Sequence, residues 1–243
     1  MDETQETHAA EPGQGDGGEA WCLRCRKPVL PQDLCVCAEL TQHRNRVAVL
    51  VLRHPQEKDR VLGTARLIEL QLANASVVTG LSWRNLAHAL GRDAKPRALD
   101  PSNWGVLYQG PKTDRPARES AGVIAVDRAG KPLADQARGL AGIRGVIVLD
   151  GTWSQAKTLW WRNPWLLKCR RLVLNPAQQS AYGRLRREPR RDSISTLEAA
   201  ALAVATLERD VALYDRLVAP LRSLVARAGG DGVRTPRPST SRG

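Results

Sequence analysis

Six short apolar segments, rich in β-branched residues, recur along this chain and alternate with stretches of helical periodicity. The strand candidates are residues 47–52, 75–79, 105–108, 123–126, 146–149 and 172–174. Apolar side chains repeat at helical spacing in residues 59–72 and 196–214. This alternation predicts an α/β fold, with a mainly parallel sheet and helices on both faces. Ligands of such sheets bind at the carboxyl ends of the strands, here the loops after residues 52, 108, 149 and 174.

The 243 residues are enough for one main domain with a small appended module. We expect residues 1–20 to form a disordered acidic tail, because they include acidic residues, no Lys or Arg and little apolar surface. Residues 21–40 are expected to form the small module, residues 41–228 the main domain, and residues 229–243 a second disordered tail. The sequence has no run of membrane-span length and no secretory signal, so we expect a cytoplasmic protein without a membrane partner. The oligomeric state is open, with a monomer favoured.

The formal charge of the chain is +12 at pH 7, although its first twenty residues are acidic. The rest of the chain is therefore more basic still. A charge of this size attracts polyanions through counterion release, which favours a nucleic acid over a neutral metabolite as the partner. A general bias towards arginine in the source proteome is the alternative explanation.

Four of the five cysteines form two tight pairs, Cys22 with Cys25 and Cys35 with Cys37. In a chain without a secretory signal such pairs favour metal binding over disulfides, and four thiolates complete the tetrahedral shell of Zn²⁺. Four sulfur ligands leave no open position for a substrate, so we expect a structural zinc ion and assign it no chemistry. Cys169 stands apart and is interpreted as a buried thiol.

Polar residues follow the first predicted strand. Arg53 and His54 come directly after it, and Arg66 lies in the helical stretch that follows. These groups could face a carboxylate or a phosphate. Charged residues are also usual in loops, and a single histidine is often structural. The residues alone therefore do not decide between a ligand-binding role and a structural one.

The fifth predicted strand leads into Asp150-Gly151-Thr152-Trp153. Thr152 and Gln155 have the spacing of a capping box, which could simply start the next helix. Asp150 would project from the end of a buried strand beside a glycine that permits close backbone approach. A carboxylate in that place can accept a proton or orient a ligand.

Two further motifs follow the sixth predicted strand. The first is a loop that contains five arginines within ten residues, which favours contact with RNA phosphates and bases over a merely solvated surface. These RNA-binding candidates are Arg184, Arg186, Arg187, Arg190 and Arg191. The second motif begins at Ser195, where Ser195 and Glu198 again match a capping box. If Glu198 reaches back to the backbone, its carboxylate is occupied and has no catalytic part.

Taken together, these motifs resemble the DTW-domain family over residues 21–224. The resemblance is carried by the cysteine pairs, Arg53-His54-Pro55 with Thr64-Ala65-Arg66-Leu67, Asp150-Gly151-Thr152-Trp153, and Ser195-Thr196-Leu197-Glu198-Ala199. Bacterial members of the family are tRNA-uridine aminocarboxypropyltransferases. The family is similar to the SPOUT class of RNA enzymes, so the resemblance implies an α/β fold with a possible C-terminal knot. The acidic N-terminal tail lies outside the family pattern.

The resemblance also implies a reaction. The 3-amino-3-carboxypropyl group of S-adenosyl-L-methionine would be transferred to N3 of a tRNA uridine, in the variable loop, with release of methylthioadenosine. Asp150 is then the candidate base for the N3 proton, and Arg53 or Arg66 would hold the carboxylate of the co-substrate. The cofactor-binding candidates are Arg53, His54, Arg66, Leu107, Tyr108, Gly110, Gly151, Thr152, Trp153, Pro176, Ser195, Thr196 and Glu198.

One departure from the family pattern concerns the third predicted strand. A proline is expected soon after it, but this chain reads Leu107-Tyr108-Gln109-Gly110-Pro111. Two alternative functions also stay open at this point. One is an RNA methyltransferase that uses the same co-substrate, and the other is a zinc-containing RNA-binding protein without activity.

Overall fold

A computed structural model of the chain describes residues 12–14, 20–22, 27–28, 35–57, 63–91, 99–107, 122–176, 180–181 and 194–230. Its centre is a six-stranded sheet, formed by β4 (Ala48–Arg53), β5 (Ala75–Thr79), β6 (Trp104–Leu107), β7 (Gly122–Val126), β8 (Gly145–Asp150) and β9 (Arg170–Asn175). The spatial order of these strands is β5-β4-β8-β6-β9-β7. Neighbouring strands are parallel except β7, which runs antiparallel to β9. The mainly parallel sheet is confirmed, and all six strand candidates correspond to its strands.

Helices cover both faces of this sheet. They are α1 (Ala65–Gln71), α2 (Leu86–Ala89), α3 (Gln136–Leu140), α4 (Trp153–Arg162), α5 (Thr196–Glu208) and α6 (Val211–Gly230). One core cluster contains side chains of α1, α5 and α6, and a second contains side chains of α2 and α4. Within the described parts of the chain, none of the helices combines the length and the hydropathy that a membrane span requires.

Successive residues of the central strands point into different clusters. Val49 and Val51 of β4 belong to the cluster with α5, whereas Leu50 and Leu52 belong to the cluster with α4. Because strand side chains alternate between faces, a central strand covered on both sides must be apolar at every position. This is the reason that β4 and β8 appear in the sequence as continuous apolar runs.

The helical stretch predicted over residues 196–214 is two helices. Arg209 adopts a left-handed conformation with φ 59°, and its amide closes the last turn of α5 on Ala205 and Thr206. The carboxylate of Asp210 then accepts from the amide of Leu213 at 3.1 Å and starts α6. Apolar periodicity continues across this break because both helices pack on the same core cluster. The other helical stretch, residues 59–72, is described from residue 63, and its helix begins at Ala65.

The N-terminal part contains three short strands, β1 (Pro12–Gln14), β2 (Ala20–Cys22) and β3 (Lys27–Pro28), paired in an antiparallel sheet. β1 and the first residue of β2 fall within residues 1–20, where we expected a disordered tail. Their backbones pair in register, Gly13 with Trp21, which composition does not reveal. At the other end, α6 continues to Gly230, two residues beyond the expected boundary of the main domain.

Candidate active site

Two neighbouring parallel strands, β4 and β8, end side by side at the carboxyl edge of the sheet. Arg53 pairs with Asp150 at this end, and Thr79 of β5 pairs with Arg53 on its other side. The amide of His54, the first residue after β4, donates to the carbonyl oxygen of Asp150 at 2.9 Å. The two loops in which polar residues were predicted to carry chemistry therefore leave the sheet together.

The carboxylate of Asp150 lies at the N-terminus of α5. The hydroxyl of Thr196, the first residue of this helix, donates to Oδ1 of Asp150 at 2.5 Å. The positive end of the α5 dipole lies at the same place and favours a negative charge there. Asp150 is only partly buried. A carboxylate that is oriented in this way and still reachable can accept a proton from a bound substrate.

The N-terminus of α4 is fixed by a capping box. The Thr152 amide donates to Oε1 of Gln155 at 2.6 Å, and the Gln155 amide donates to the Thr152 hydroxyl at 3.4 Å. Nε2 of Gln155 also donates to Oε1 of Gln56 at 3.0 Å, which joins this turn to the loop after β4. The capping interpretation of Thr152 is confirmed, and the same glutamine also links the two loops.

Gly151 and Trp153 flank this cap. A Cβ on Gly151 would lie 2.8 Å from Cβ of Gln155 and 3.5 Å from Cβ of His54, so close packing requires a glycine there. Trp153, the first residue of α4, keeps 46% of its surface exposed. It is therefore not a residue of the core, and it lies three positions after Asp150 in the chain.

Glu198 holds the segment after β9 against the start of α5. Its side chain is fully buried. Oε2 accepts from the amide of Ser195 at 2.7 Å and from the hydroxyl of Ser180 at 2.9 Å, while Oε1 accepts from the amide of Ala181 at 2.6 Å. The capping box of Ser195 and Glu198 is therefore present, and the carboxylate is occupied by three donors. A part of Glu198 in cofactor binding stays a prediction, and such a part would act through the segment that it holds.

The side chains of Arg53 and His54 lie at the carboxyl edge of the sheet. Nε of Arg53 donates to the hydroxyl of Thr79 at 3.1 Å. Nδ1 of His54 accepts from the amide of Gln56 at 3.3 Å. A neutral imidazole that accepts at Nδ1 carries its proton on Nε2, so Nε2 is the donor that His54 can offer to a ligand.

Arg66 is engaged differently. Its guanidinium forms an ion pair with Glu69 at 2.6 Å, and the same carboxylate accepts from the amide of Val77 in the edge strand β5 at 2.9 Å. The start of α1 is also joined to α5, because the Leu197 amide donates to the buried hydroxyl of Thr64 at 3.3 Å. The structure thus brings two of the sequence motifs together through Thr64, whereas Arg66 is bound towards β5.

The remaining cofactor candidates lie after β6 and β9. Leu107 is buried in the core cluster with α5 and ends β6, and Pro176 follows the last residue of β9. Tyr108 and Gly110 lie outside the described residues. The same holds for the five arginines predicted to bind RNA, Arg184, Arg186, Arg187, Arg190 and Arg191, so their part stays a prediction.

These contacts can be compared with what is known of other proteins. The sequence profile of the DTW domain matches residues 19–228 of the chain. The chain belongs to the DTW domain family. The residues matched include β4 to β9 and therefore both loops that meet at Asp150.

Relatives of this DTW protein carry the name tRNA-uridine aminocarboxypropyltransferase 2. The one from Drosophila melanogaster is 31% identical over 205 residues, which cover 84% of this chain and 72% of the relative. Those from Macaca fascicularis and Mus musculus are 27% and 26% identical, again over 84% of this chain. The alignment spans only 61% of these two relatives. No solved structure matches the chain.

Three predicted zinc ligands of the DTW protein lie together. The Sγ atoms of Cys22, Cys35 and Cys37 are within 4.8 Å of one another, and Cys22 and Cys37 are buried. In a tetrahedral site with zinc–sulfur bonds of about 2.3 Å, neighbouring sulfur atoms are about 3.8 Å apart. The group therefore has suitable dimensions and ligand chemistry for a thiolate metal site. Cys25, the predicted fourth ligand, lies outside the described residues.

Cys169 has a different environment, which confirms the interpretation of a buried thiol. It is 7% exposed and packs in the cluster with α4. Burial, with a smaller contribution from the charge of Asp100, raises the pKa of its thiol to about 12. The group therefore stays protonated and unreactive at neutral pH.

Sequence analysis did not single out Thr79 and Gln56 at the carboxyl edge of the sheet. Thr79 ends a predicted strand, so the rule that sites lie at strand ends could have identified it. The contact between Gln56 and Gln155 had no such signal, because an amide pair 99 residues apart leaves no pattern in a single sequence.

Proposed function

We propose that this chain transfers the 3-amino-3-carboxypropyl group of S-adenosylmethionine to N3 of a uridine in the variable loop of tRNA. The supporting observation in the structure is the carboxylate of Asp150, oriented by Thr196 at the edge where three family motifs meet. The names of the relatives support the class of reaction. The basic charge of the chain supports a polyanionic substrate.

In the proposed reaction, Asp150 removes the proton from N3 of the uridine, because the neutral imide is a poor nucleophile. N3 then attacks the methylene carbon next to the sulfonium sulfur. A nitrogen–carbon bond forms, the carbon–sulfur bond breaks, and sulfur keeps the electron pair, so that methylthioadenosine leaves as a neutral thioether. The proton on Asp150 passes to solvent. The protein must present this carbon in line with N3 and keep the methyl carbon away from it.

The contacts distinguish between the two arginines considered for the co-substrate carboxylate. We assign this part to Arg53, which pairs in register with Asp150. Its Nε donates to Thr79, and its two terminal guanidinium nitrogens have no partner among the described residues. Arg66 is already ion-paired with Glu69. The loops around the co-substrate would then contribute His54, Gly151, Thr152, Trp153 and Pro176.

Product identity tests this proposal. Protein, tRNA and S-adenosylmethionine labelled in the aminocarboxypropyl group are incubated, and the RNA and the small products are separated. We expect label in tRNA together with an equimolar amount of methylthioadenosine. Formation of S-adenosylhomocysteine instead would identify a methyltransferase. If neither methylthioadenosine nor S-adenosylhomocysteine formed, the result would favour an RNA-binding protein without activity. Mass spectrometry of the digested tRNA locates the uridine.

We further propose that Cys22, Cys35, Cys37 and Cys25 bind one structural Zn²⁺. The contacts of Arg227 indicate what such an ion would stabilise. This residue of α6 donates to the carbonyl oxygen of Cys35 at 3.3 Å and forms an ion pair with Glu39. A zinc ion would therefore fasten the N-terminal module to the end of α6.

Metal removal is expected to lower thermal stability more than it lowers tRNA affinity. We expect one zinc per chain by elemental analysis, and its loss in Cys37→Ser. If the site contributes about 2 kcal/mol, Tm should fall by roughly 4–8 °C in a chain of this size. Cys169→Ala is the control, because it removes a thiol outside the group and should keep the zinc. Purified protein without zinc, and with an unchanged Tm in Cys37→Ser, would contradict the proposal.

The knot is also a proposal. It is supported by the place of β8, which follows β6 and β7 in the chain but lies between β4 and β6 in the sheet. Residues 108–121 and 182–193, which connect these elements along the chain, lie outside the described residues.

A further inference from the structure

A groove of about 670 Å³ lies at the edge of the sheet opposite Asp150. It is formed by the start of β9, the end of β7, the turn that follows β7, and α3. Because β9 runs parallel to β8, its first residues lie at the amino edge of the sheet. Six residues at about 3.3 Å each separate the two edges by about 20 Å. The groove is therefore distinct from the site at Asp150.

Basic residues outnumber acidic ones in the lining of this groove. Arg128, Arg138 and Lys168 are exposed and contribute side chains to it. Among the described residues, no ion pair is formed by these three cations. Exposed cations that form no ion pair are available to a bound anion, and Lys168 in addition acts electrostatically on the nearby carboxylate of Asp100. The groove is thus equipped to bind a ligand with several negative charges.

Two further arginines of the lining, Arg170 and Arg171, are held by backbone carbonyl groups. Arg170 donates to the carbonyl oxygens of Ser102, Gly139 and Ala141. Arg171 donates to the carbonyl oxygen of Arg128, and its guanidinium lies 5.5 Å from the centre of the Trp160 ring. These contacts fix the position of two positive charges before any ligand arrives, which lowers the entropic cost of binding.

The two carboxylates of the groove are committed to the backbone. Asp127 accepts from the amides of Ala129 and Lys131 at 2.8 and 2.9 Å and thereby holds the turn. Asp135 accepts from the amide of Arg138 at 2.9 Å and caps α3. Two acidic groups therefore stand against five basic ones, and the local charge is positive.

Apolar surface lies beside these charges. Leu167 and Leu133, which also line the groove, keep 53% and 37% of their surfaces exposed. A nucleic acid offers phosphates to cations and sugar faces to apolar side chains within one strand. An inorganic anion offers negative charge but no apolar face.

We propose that this groove binds backbone phosphates of the substrate tRNA, as a second contact remote from the reacting uridine. The inference rests on the proposed function for the identity of the RNA, while the groove itself is defined by the charges and contacts given above. A ligand that reaches both edges of the sheet must extend over about 20 Å, which a folded RNA does and a mononucleotide does not. The groove would position the RNA so that one uridine reaches Asp150.

Binding measurements with a charge-removal variant test this inference. The variant is Arg128→Gln with Arg138→Gln and Lys168→Gln, three exposed side chains whose replacement removes no ion pair among the described residues. Kd for tRNA is measured without co-substrate at several salt concentrations. We expect Kd to rise about 10-fold or more near physiological salt, and the slope of log K against log salt to become shallower by about 2–3.

A matched variant with the same loss of charge serves as the control. Arg44→Gln, Arg84→Gln and Arg209→Gln replace three other exposed arginines, none of which lines the groove. We expect a rise in Kd of less than about 3-fold, because only long-range attraction is reduced. An equal rise in both variants would overturn the inference, since net charge alone would then explain the binding. So would an unchanged Kd and slope in the groove variant.

The groove can also be tested separately from the reaction. Competition with adenosine monophosphate and with inorganic phosphate distinguishes an RNA groove from a small-anion site. Displacement of tRNA by one of these two anions at micromolar concentration would contradict the inference. If wild-type protein binds tRNA but forms no aminocarboxypropyl product, the proposed function fails while the groove stands. If product forms and the groove variant binds tRNA normally, the groove alone fails.

Discussion

Asp150→Asn is expected to lower the rate of product formation by about 10²–10⁴-fold, which is the usual contribution of a positioned general base. The amide is similar in size to the carboxylate and can still accept the hydrogen bond from Thr196, but it cannot take the N3 proton. Affinity for tRNA should stay within about 3-fold of wild type, because the basic surface is unchanged. Single-turnover rates and Kd values measured on one preparation check both expectations.

Variants of Thr196 provide the control for this prediction. Thr196→Val removes the hydroxyl that donates to Asp150 and keeps the carboxylate, so Thr196 is tested as a positioning residue. We expect a loss of roughly 10-fold, as for one hydrogen bond to a charged group. Thr196→Ser retains the hydroxyl and should restore most of the rate. Product formation near the wild-type rate in Asp150→Asn would show that another group accepts the proton.

Glu198→Ala is expected to cause the largest loss of stability among single substitutions at this edge. It removes a fully buried carboxylate that accepts from the amides of Ser195 and Ala181 and from the hydroxyl of Ser180. Loss of a buried acceptor that serves three donors destabilises the fold by about 3–5 kcal/mol in total. In a chain of this size the loss corresponds to a Tm lower by roughly 6–20 °C. Thermal unfolding followed by circular dichroism measures it.

Glu208→Ala is the matched comparison, because Glu208 also accepts from two backbone amides. Its Oε1 atom is bonded to the amides of Arg46 and Val47 at 2.6 and 2.8 Å, but the residue is only partly buried. Water can replace the carboxylate there, so the loss should be less than half of that in Glu198→Ala. Equal losses in the two variants would mean that burial does not decide the contribution of Glu198. Glu198→Gln should fall between Glu198→Ala and wild type.

The sheet was predictable because each central strand is apolar on both faces. All six segments proposed from apolar β-branched runs are strands, and the rule for parallel sheets identified the edge that carries Asp150. Capping boxes were also readable, since Thr152 with Gln155 and Ser195 with Glu198 each depend on residues only three positions apart. Features that depend on local spacing were therefore accessible from one sequence.

Contacts between distant segments were not predictable in the same way. The bond from Thr196 to Asp150 joins residues 46 positions apart, and the contact of Arg66 with Glu69 became informative only once β5 was placed beside them. The break at Arg209 was hidden because both helices present apolar residues to one core. The basic groove arises from β7 running antiparallel to β9, which brings Arg128 beside Arg171, and no pattern in the sequence specifies that pairing.

The contact between the starts of α1 and α5 can form only late in the synthesis of the chain. Thr64 accepts from Leu197 across 133 residues, and Asp150 gains its hydroxyl partner only when Thr196 is present. At about 5–20 residues per second, synthesis reaches Thr196 about 1–4 s after the last residue of β9. An unfinished chain can therefore hold most of the sheet but not the assembled carboxyl edge. Protein released early by a stalled ribosome would expose basic surface to tRNA without the contact that orients Asp150.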